Sequence, residues 1–259
     1  MADTRVLTVA EPRFGTRRAP SGLRSPLTLL AVLVRQACHE LRVRRLRGIA
    51  FRTSRNDEAR RAYAALRLWE FEGINERQAW ANWRTIRRNL QGRAPRRPVS
   101  AIDLCCGTGD STEVLAWCLE PGSAILGVDA DPRFVAAARE RAYFTRRGRP
   151  ADVRFGCQSV LEPLCNEAHE PIADASVDVV NSSGAVGCHF EATATAVLAA
   201  EVDRVLRPGG LALIDCGPDG TRPRELREIF QALGHRAIHR ARSCAFDRYW
   251  QLCFRKPDA

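Results

Sequence analysis

The sequence has almost no lysine. Lys256 stands alone among 40 basic residues, so the other 39 are arginines. Methionine occurs once, and aromatic residues make up only 7% of the chain. No apolar run approaches the roughly 18 residues that a bilayer span needs. The longest, 29–34, is far too short, which excludes an integral membrane helix. None of the ten cysteines forms a C-x-x-C pair, which argues against a structural zinc site and leaves no metal expected. No secretory signal is legible, so the cysteines read as reduced thiols of a cytoplasmic chain. With 45% hydrophobic and 27% charged residues over 259 positions, the composition is globular. The preference for arginine points to a GC-rich, bacterial coding bias.

Charge is unevenly spread. Residues 1–100 carry a balance of +14 and residues 101–259 a balance of −4, within a net +10. A basic N-terminal portion suits either a solvated arginine-rich surface or an anionic partner such as nucleic acid or lipid. Residues 1–24 read as a flexible arginine-rich arm. Ser25-Pro26 then offers an N-cap with Pro at the first helical position, and Gly48 closes a helix over 27–47. Its first half is apolar and its second half basic, so it either docks on its own protein or contacts a membrane surface peripherally.

Two further helices follow. Thr53-Ser54 with Asp57 and Glu58 mark a helix start, and Gly73 marks its end. Asn75 caps a third helix that runs to about Leu90. Together, residues 25–92 are expected to form a helical cap or lid. The stretch 91–98 reads as a linker because it contains Gly and two Pro. From Val99 the pattern changes to strands alternating with helices, which argues for a parallel sheet covered on both faces. Segments 237–241 and 249–255 read as a closing antiparallel hairpin.

The most informative segment is Asp103-Leu-Cys105-Cys-Gly107-Thr108-Gly109, between a strand and a helix. Glycines there let a backbone approach a ligand, and the helix start offers free N–H groups. Thr112 stands where a dinucleotide fingerprint needs its third glycine, which argues against NAD or FAD. Asp103 would repel a pyrophosphate but suits a cationic amine. Asp129 ends the second strand, where a carboxylate can take both ribose hydroxyls. A ligand with a ribose, an amine and a small anion is implied.

Over residues 99–240 the sequence resembles the class I S-adenosylmethionine-dependent methyltransferases. Asp103-x-x-x-Gly107-x-Gly109 is similar to the family's first motif and Gly127-Val-Asp129 to its acidic ribose motif. Ser176-Val-Asp178 resembles the fourth-strand motif, and Glu201 through Gly210 the turn into the fifth strand. The resemblance implies a Rossmann-like, doubly wound α/β fold with a mostly parallel seven-stranded sheet over 99–259. It also implies S-adenosyl-L-methionine as cofactor. Expected cofactor contacts are Asp103, Cys105, Gly107, Thr108, Gly109, Asp129, Ala130, Gln158, Ser159 and Asn181. Gln158 or Ser159 stands where the family often has an Asp near the adenine amino group.

Methyl transfer from a sulfonium is an in-line displacement, so the protein mainly orients and desolvates. A base is needed only where the acceptor must first lose a proton. His189 is the candidate base because imidazole titrates near neutrality; the alternative is a helix-cap or solvent-facing histidine. Ser183, Cys188 and Asp215 follow strands four and five, where the family usually places acceptor contacts. Tyr63, Trp80 and Trp83 lie in the helices that often form a lid. They either enclose an acceptor or pack the helices onto the core. Asn75, Gln78 and Asn82 fall near one helix face, an unusual amide cluster for mere packing. Cys105, Cys106, Cys157, Cys188 and Cys216 all fall near strand ends, either as a thiol-lined rim or as small buried hydrophobes. His235 and His239 would lie about 13 Å apart along a strand, poor metal geometry.

The leading reading is methyl transfer to a small-molecule acceptor. One alternative keeps the cofactor but cyclises or transfers its aminocarboxypropyl group. Another is RNA methylation through the basic arm, against which stands the absence of the Asn/Asp-Pro-Pro-aromatic and Pro-Cys motifs of nucleic-acid enzymes. No oligomeric state follows from the residues.

Overall fold

The computed structural model describes residues 26–47 and 55–258. The expected arm at 1–24, Gly48 and the Thr53-Ser54 helix start lie outside them. Among the described residues, three helices precede the sheet: α1 Pro26–Arg47, α2 Asn56–Ala64 and α3 Leu68–Leu90. The α/β portion then runs β1 Ser100–Leu104, α4 Asp110–Cys118, β2 Ala124–Asp129, α5 Pro132–Arg139 and β3 Asp152–Cys157. It continues with β4 Val177–Ser182, α6 Val186–His189, α7 Ala192–Val205 and β5 Leu206–Cys216. The last elements are α8 Pro223–Ala232, β6 Arg236–Ala241 and β7 Trp250–Arg255.

The seven strands form one sheet in the order β3-β2-β1-β4-β5-β7-β6. Strands β1 to β5 pair in parallel, whereas β7 is antiparallel to both β5 and β6. This is a Rossmann-like, doubly wound, mostly parallel sheet. Strand order reverses between β1 and β4, so the loops after these strands diverge and leave a crevice at their carboxyl ends. Apolar residues cover both faces. Ile102 and Leu104 share a core with Leu198 and Val202 of α7 and Leu226 and Phe230 of α8. Ala101 shares the opposite core with Ile86 and Leu90 of α3 and Leu115 of α4. The core thus holds α3 directly, although it precedes the linker.

The helices before the sheet divide differently from the sequence expectation. Gly73 does not end a helix; α2 stops at Ala64 and α3 runs straight through Gly73. Two interactions place the break earlier. The Arg133 guanidinium donates to the carbonyls of Tyr63 and Leu66 at 3.1 and 2.7 Å, capturing the end of α2. Glu70 then accepts the Arg67 N–H at 2.8 Å and starts α3. Gly73 serves close approach instead: a Cβ there would lie 2.5 Å from the His39 ring of α1. Helix α1 docks on α3, with Val43 buried against Leu66 and Ile74. Gln36 accepts the Arg77 N–H at 2.7 Å. Leu30, Val34 and Leu41 on α1 remain exposed. Among the described residues, no helix is long and apolar enough to cross a membrane.

A buried polar chain crosses the sheet. Asn181 of β4 donates to Asp103 of β1 at 2.7 Å, and Gln251 of β7 donates to Asn181 at 2.9 Å. Asn89 of α3 donates to Gln251 at 3.0 Å, and His239 of β6 meets the Asn89 carbonyl oxygen at 2.8 Å. An ionised carboxylate only accepts, so each amide in turn is oriented by the one before it, and His239 must carry its proton on Nδ1. His235, by contrast, pairs with Asp203 at 2.8 Å, so the two histidines serve separate packing contacts.

After β4, the short α6 turn is seated by Asp215 of β5. Its carboxylate accepts N–H groups of Val186 at 3.2 Å and Gly187 at 2.8 Å, and the Ser182 hydroxyl at 3.2 Å. Gly187 presses on the neighbouring chain: a Cβ there would lie 2.6 Å from the Gly217 nitrogen, and backbone cannot step aside. Gly187→Ala is therefore expected to lower stability by about 1–3 kcal/mol, the usual range for overpacking. Urea unfolding measures this, and a variant as stable as the parent would contradict the packing described.

Candidate functional site

The crevice at the β1/β4 reversal opens into a cavity of about 490 Å³. That volume is ordinary for a small-molecule site. Its floor comes from the carboxyl ends of β1, β2 and β3, where Cys105 to Thr108, Asp129 to Arg133 and Ser159 to Leu161 line it. Its roof comes from Tyr63 of α2 and Phe71, Asn75, Gln78 and Asn82 of α3. Ser183 to Ala185, His189 and Phe190 close the far side.

The glycine loop turns sharply after β1. Cys105, Gly107 and Gly109 all take positive φ, at 53°, 53° and 89°. A cysteine at that φ is strained, since Cβ crowds the backbone there. Asp129 ties the loop to the next one. Its Oδ2 accepts the Gly107 N–H and its Oδ1 the Asp131 N–H, both at 2.9 Å. A carboxylate has about four lone-pair sites, so these two bonds leave capacity for a pair of ribose hydroxyls. Gly107 keeps the loop open, because a Cβ would lie 3.0 Å from Phe71 on the roof. Both observations fit a nucleoside cradle. Burial pushes the Asp129 carboxyl above its ordinary range, against the N–H groups that stabilise its charge.

The structure divides the expected cofactor residues. Cys105, Gly107, Thr108, Asp129, Ala130 and Ser159 line the cavity. Asp103, Gly109, Gln158 and Asn181 do not, and each has a packing reason. Asp103 is fully buried beneath the loop and accepts the hydroxyls of Ser111 at 2.7 Å and Thr112 at 2.6 Å, besides Asn181. It braces the start of α4 and the loop from beneath. Asn181 is spent on the polar chain. Gly109 is the N-cap of α4, packed against Tyr143. Gln158 folds away to bond the Cys165 backbone at 3.0 and 2.6 Å.

The expected acceptor residues divide as well. Tyr63, Ser183 and His189 line the cavity, as do Asn75, Gln78 and Asn82. The amides and Ser183 interlock: Ser183 donates to the Asn82 carbonyl oxygen at 2.6 Å, and Gln78 donates to the same oxygen at 2.8 Å. Trp80 and Trp83 point elsewhere. On a helix whose cavity face is 75, 78 and 82, positions 80 and 83 fall outside that stripe. Trp80 stacks under Arg84 at 4.4 Å, and Trp83 meets Trp117 edge-on at 6.0 Å. Asp215 seats α6 from behind, and Cys188 lies off the lining. Of the five rim cysteines, only Cys105 and Cys106 reach the cavity, and burial pushes both thiols well up, so they resist ionisation. Among the described residues, no cluster of three metal-ligating side chains occurs.

Phe71, another aromatic of the helices read as a lid, stacks on Phe134 at 3.9 Å and faces the glycine loop. Two residues escaped sequence reasoning. Asp131 caps α5 and grips Arg133, whose guanidinium holds α2 in turn. Asp131 before Pro132 is an ordinary helix start, and no local pattern encodes a clamp on a distant helix.

A positive-φ glycine loop on one strand and a carboxylate on the next define an α/β nucleoside-binding domain. A family model described as "Methyltransferase domain" matches residues 101–210, from β1 into β5. Over these residues the α/β domain is similar to the S-adenosylmethionine-dependent methyltransferases, a likeness that implies S-adenosylmethionine as cofactor. An uncharacterised 37.1 kDa protein of transposon TN4556 from Streptomyces fradiae is 32% identical over 43% of this chain and 28% of its own length. A demethylmenaquinone methyltransferase of Lactobacillus johnsonii is 30% identical over 42% of this chain and 40% of its own length. The chain thus spans less than half the length of the curated relatives it matches. Its fold is shared with a solved complex of the Haloferax volcanii Trm112 methyltransferase activator and a methyltransferase. There the TM-score is 0.54 at 17% identity, over 74% of this chain and 95% of that one. It is shared also with protein PH0226 of Pyrococcus horikoshii, at TM-score 0.50 and 16% identity over 65% and 87%.

Burial pushes Asp103 up to about 6, although three side chains donate to it. A folded-state value above the unfolded one means a contribution that is full below pH 4 and lost as pH rises through 6. Asp103→Asn cannot titrate. Its stability relative to the parent should therefore improve between pH 4 and pH 6.5, by about 3 kcal/mol at most. Urea unfolding across that window measures it, and a pH-independent difference would contradict the buried, charge-penalised carboxylate.

Proposed function

We propose that the protein transfers a methyl group from S-adenosylmethionine to a small-molecule acceptor held under α2 and α3. One observation carries this reading: a single cavity joins the glycine-loop cradle to a roof of aromatic and amide side chains. The Asp129 end suits the ribose, and Ala130 with Ser159 to Leu161 suits the adenine. The glycine-loop N–H groups suit the amino-acid carboxylate. When bound there, the cofactor supplies an activated methyl group and a good thioether leaving group. The protein contributes alignment and exclusion of water.

The acceptor would enter between Tyr63, Asn75, Gln78, Asn82, Ser183 and His189. These side chains are neutral hydrogen-bonding groups, apart from the imidazole, and their spread matches a small polar molecule better than a polymer strand. Helices α2 and α3 act as the cap of the site. Because Arg133 is gripped by Asp131, two residues from Asp129, cofactor binding and cap position are mechanically linked through a short stretch of chain.

Product identity tests the reading. Incubated with methyl-labelled S-adenosylmethionine and a panel of small phenols, amines and thiols, the protein should release S-adenosylhomocysteine and a singly labelled acceptor, both read by mass. Methylthioadenosine as the only nucleoside product would contradict methyl transfer and favour attack at the aminocarboxypropyl group.

A further inference from the structure

The proposed transfer leaves open what happens to the acceptor's proton, and the seam between cap and sheet carries an arrangement for it. The Tyr63 hydroxyl of α2 lies 2.8 Å from Nε2 of His189 in α6, across 126 residues of sequence. The rings meet edge to face at 5.2 Å. Both residues line the cavity, but they are not equivalent. His189 is buried, and Tyr63, half-buried as a residue, is the more exposed of the two.

We propose that Tyr63 and His189 act as one proton-accepting pair, with Tyr63 touching the acceptor, and that the acceptor is therefore a hydroxyl compound of the phenol or enol class. This rests on the methyl-transfer reading above and deepens it. In the step, a lone pair of the acceptor oxygen forms the bond to the methyl carbon. The carbon–sulfur bond breaks, and its electron pair stays on sulfur as a neutral thioether. The acceptor's proton passes to the Tyr63 oxygen while the Tyr63 proton passes to Nε2. Tyr63 ends as it began, and His189 ends as an imidazolium that gives its proton to solvent after release.

Three features support the pair. First, Tyr63 cannot serve alone. Burial, with Cys188, Glu40 and Asp129 nearby, pushes its phenol far above the usual range, so it holds its proton unless a partner receives it. Second, the acceptor half of the cavity favours a neutral nucleophile. Among the described residues, the carboxylates that line the cavity, Asp110, Asp129 and Asp131, come from the cradle side, and Tyr63, Asn75, Gln78, Asn82, Ser183 and Phe190 on the acceptor side carry none. A neutral amine could attack before losing its proton, whereas a phenol gains most from a base during attack. Third, each half is braced separately. Arg133 bonds the Tyr63 carbonyl, and Asp215 seats the α6 turn that carries His189. The pair is complete only when the cap is docked, so proton acceptance and closure of the site coincide.

Acceptor acidity provides the test. Phenols of graded acidity are compared in the full chain, in Tyr63→Phe and in His189→Gln, with calorimetric titration of S-adenosylhomocysteine as a control for the cradle. The expected result is selective. Turnover of unactivated phenols should fall about a hundredfold or more in either variant, the usual worth of a general base. A nitrophenol already ionised at the assay pH should be methylated within about threefold of the parent rate, and cofactor affinity should not change. Equal loss for both kinds of phenol would mean a structural role and overturn the proposal, as would no loss for either. Methylation of amines or thiols with no phenol or enol accepted would overturn it too. Failure of the parent chain to bind S-adenosylhomocysteine would strike the underlying methyl-transfer reading instead.

Discussion

The site depends on one buried carboxylate. Asp103 is fully buried, so its charge must be met by protein donors, and it is met by Ser111, Thr112 and Asn181. Two of these donors belong to α4, which fixes the helix start that follows the glycine loop. The third begins the amide chain to Gln251, Asn89 and His239. One charge thereby aligns the loop after β1, strands β4 and β7, and helix α3. Removing a member strands a buried donor or acceptor, a cost of about 1–3 kcal/mol for a neutral group and more for the charge itself. Helices α2 and α3 are thus tied to the sheet, α3 through Asn89 and α2 through Arg133.

This placement separates support from contact. Asp103, Asn181 and Asp215 are buried behind the cavity, each holding a loop or turn in place. Asp129, Tyr63 and His189 stand on its surface. The distinction follows from pleat direction and loop geometry. Asp103 sits within β1 on the face covered by α3 and α4, while Asp129 ends β2 with its carboxylate turned toward the crevice.

Much of the fold was legible in the sequence. Alternation of apolar strands with helices gave the parallel order, and the two closing segments gave the hairpin, because periodicity and turn residues act locally. The glycine loop and Asp129 were legible as neighbours at strand ends, and both line the cavity. Three things were less so. The break between α2 and α3 depends on Arg133, more than sixty residues away, so Gly73 looked like the nearer stop. Trp80 and Trp83 could be read as lid aromatics or as packing residues; one helical face belongs to Asn75, Gln78 and Asn82, and the tryptophans lie off it. The pairing of Tyr63 with His189 joins α2 to α6, and no local pattern encodes a contact of that range.

The central claim is that Asp129 and the glycine loop form a nucleoside cradle. Calorimetric titration of the full chain and of Asp129→Ala with S-adenosylmethionine and S-adenosylhomocysteine tests it most directly. The account predicts micromolar binding of both ligands to the parent chain and at least tenfold weaker binding to the variant, about 1.4 kcal/mol or more. Equal affinity in the two proteins, or no binding by the parent, would contradict it.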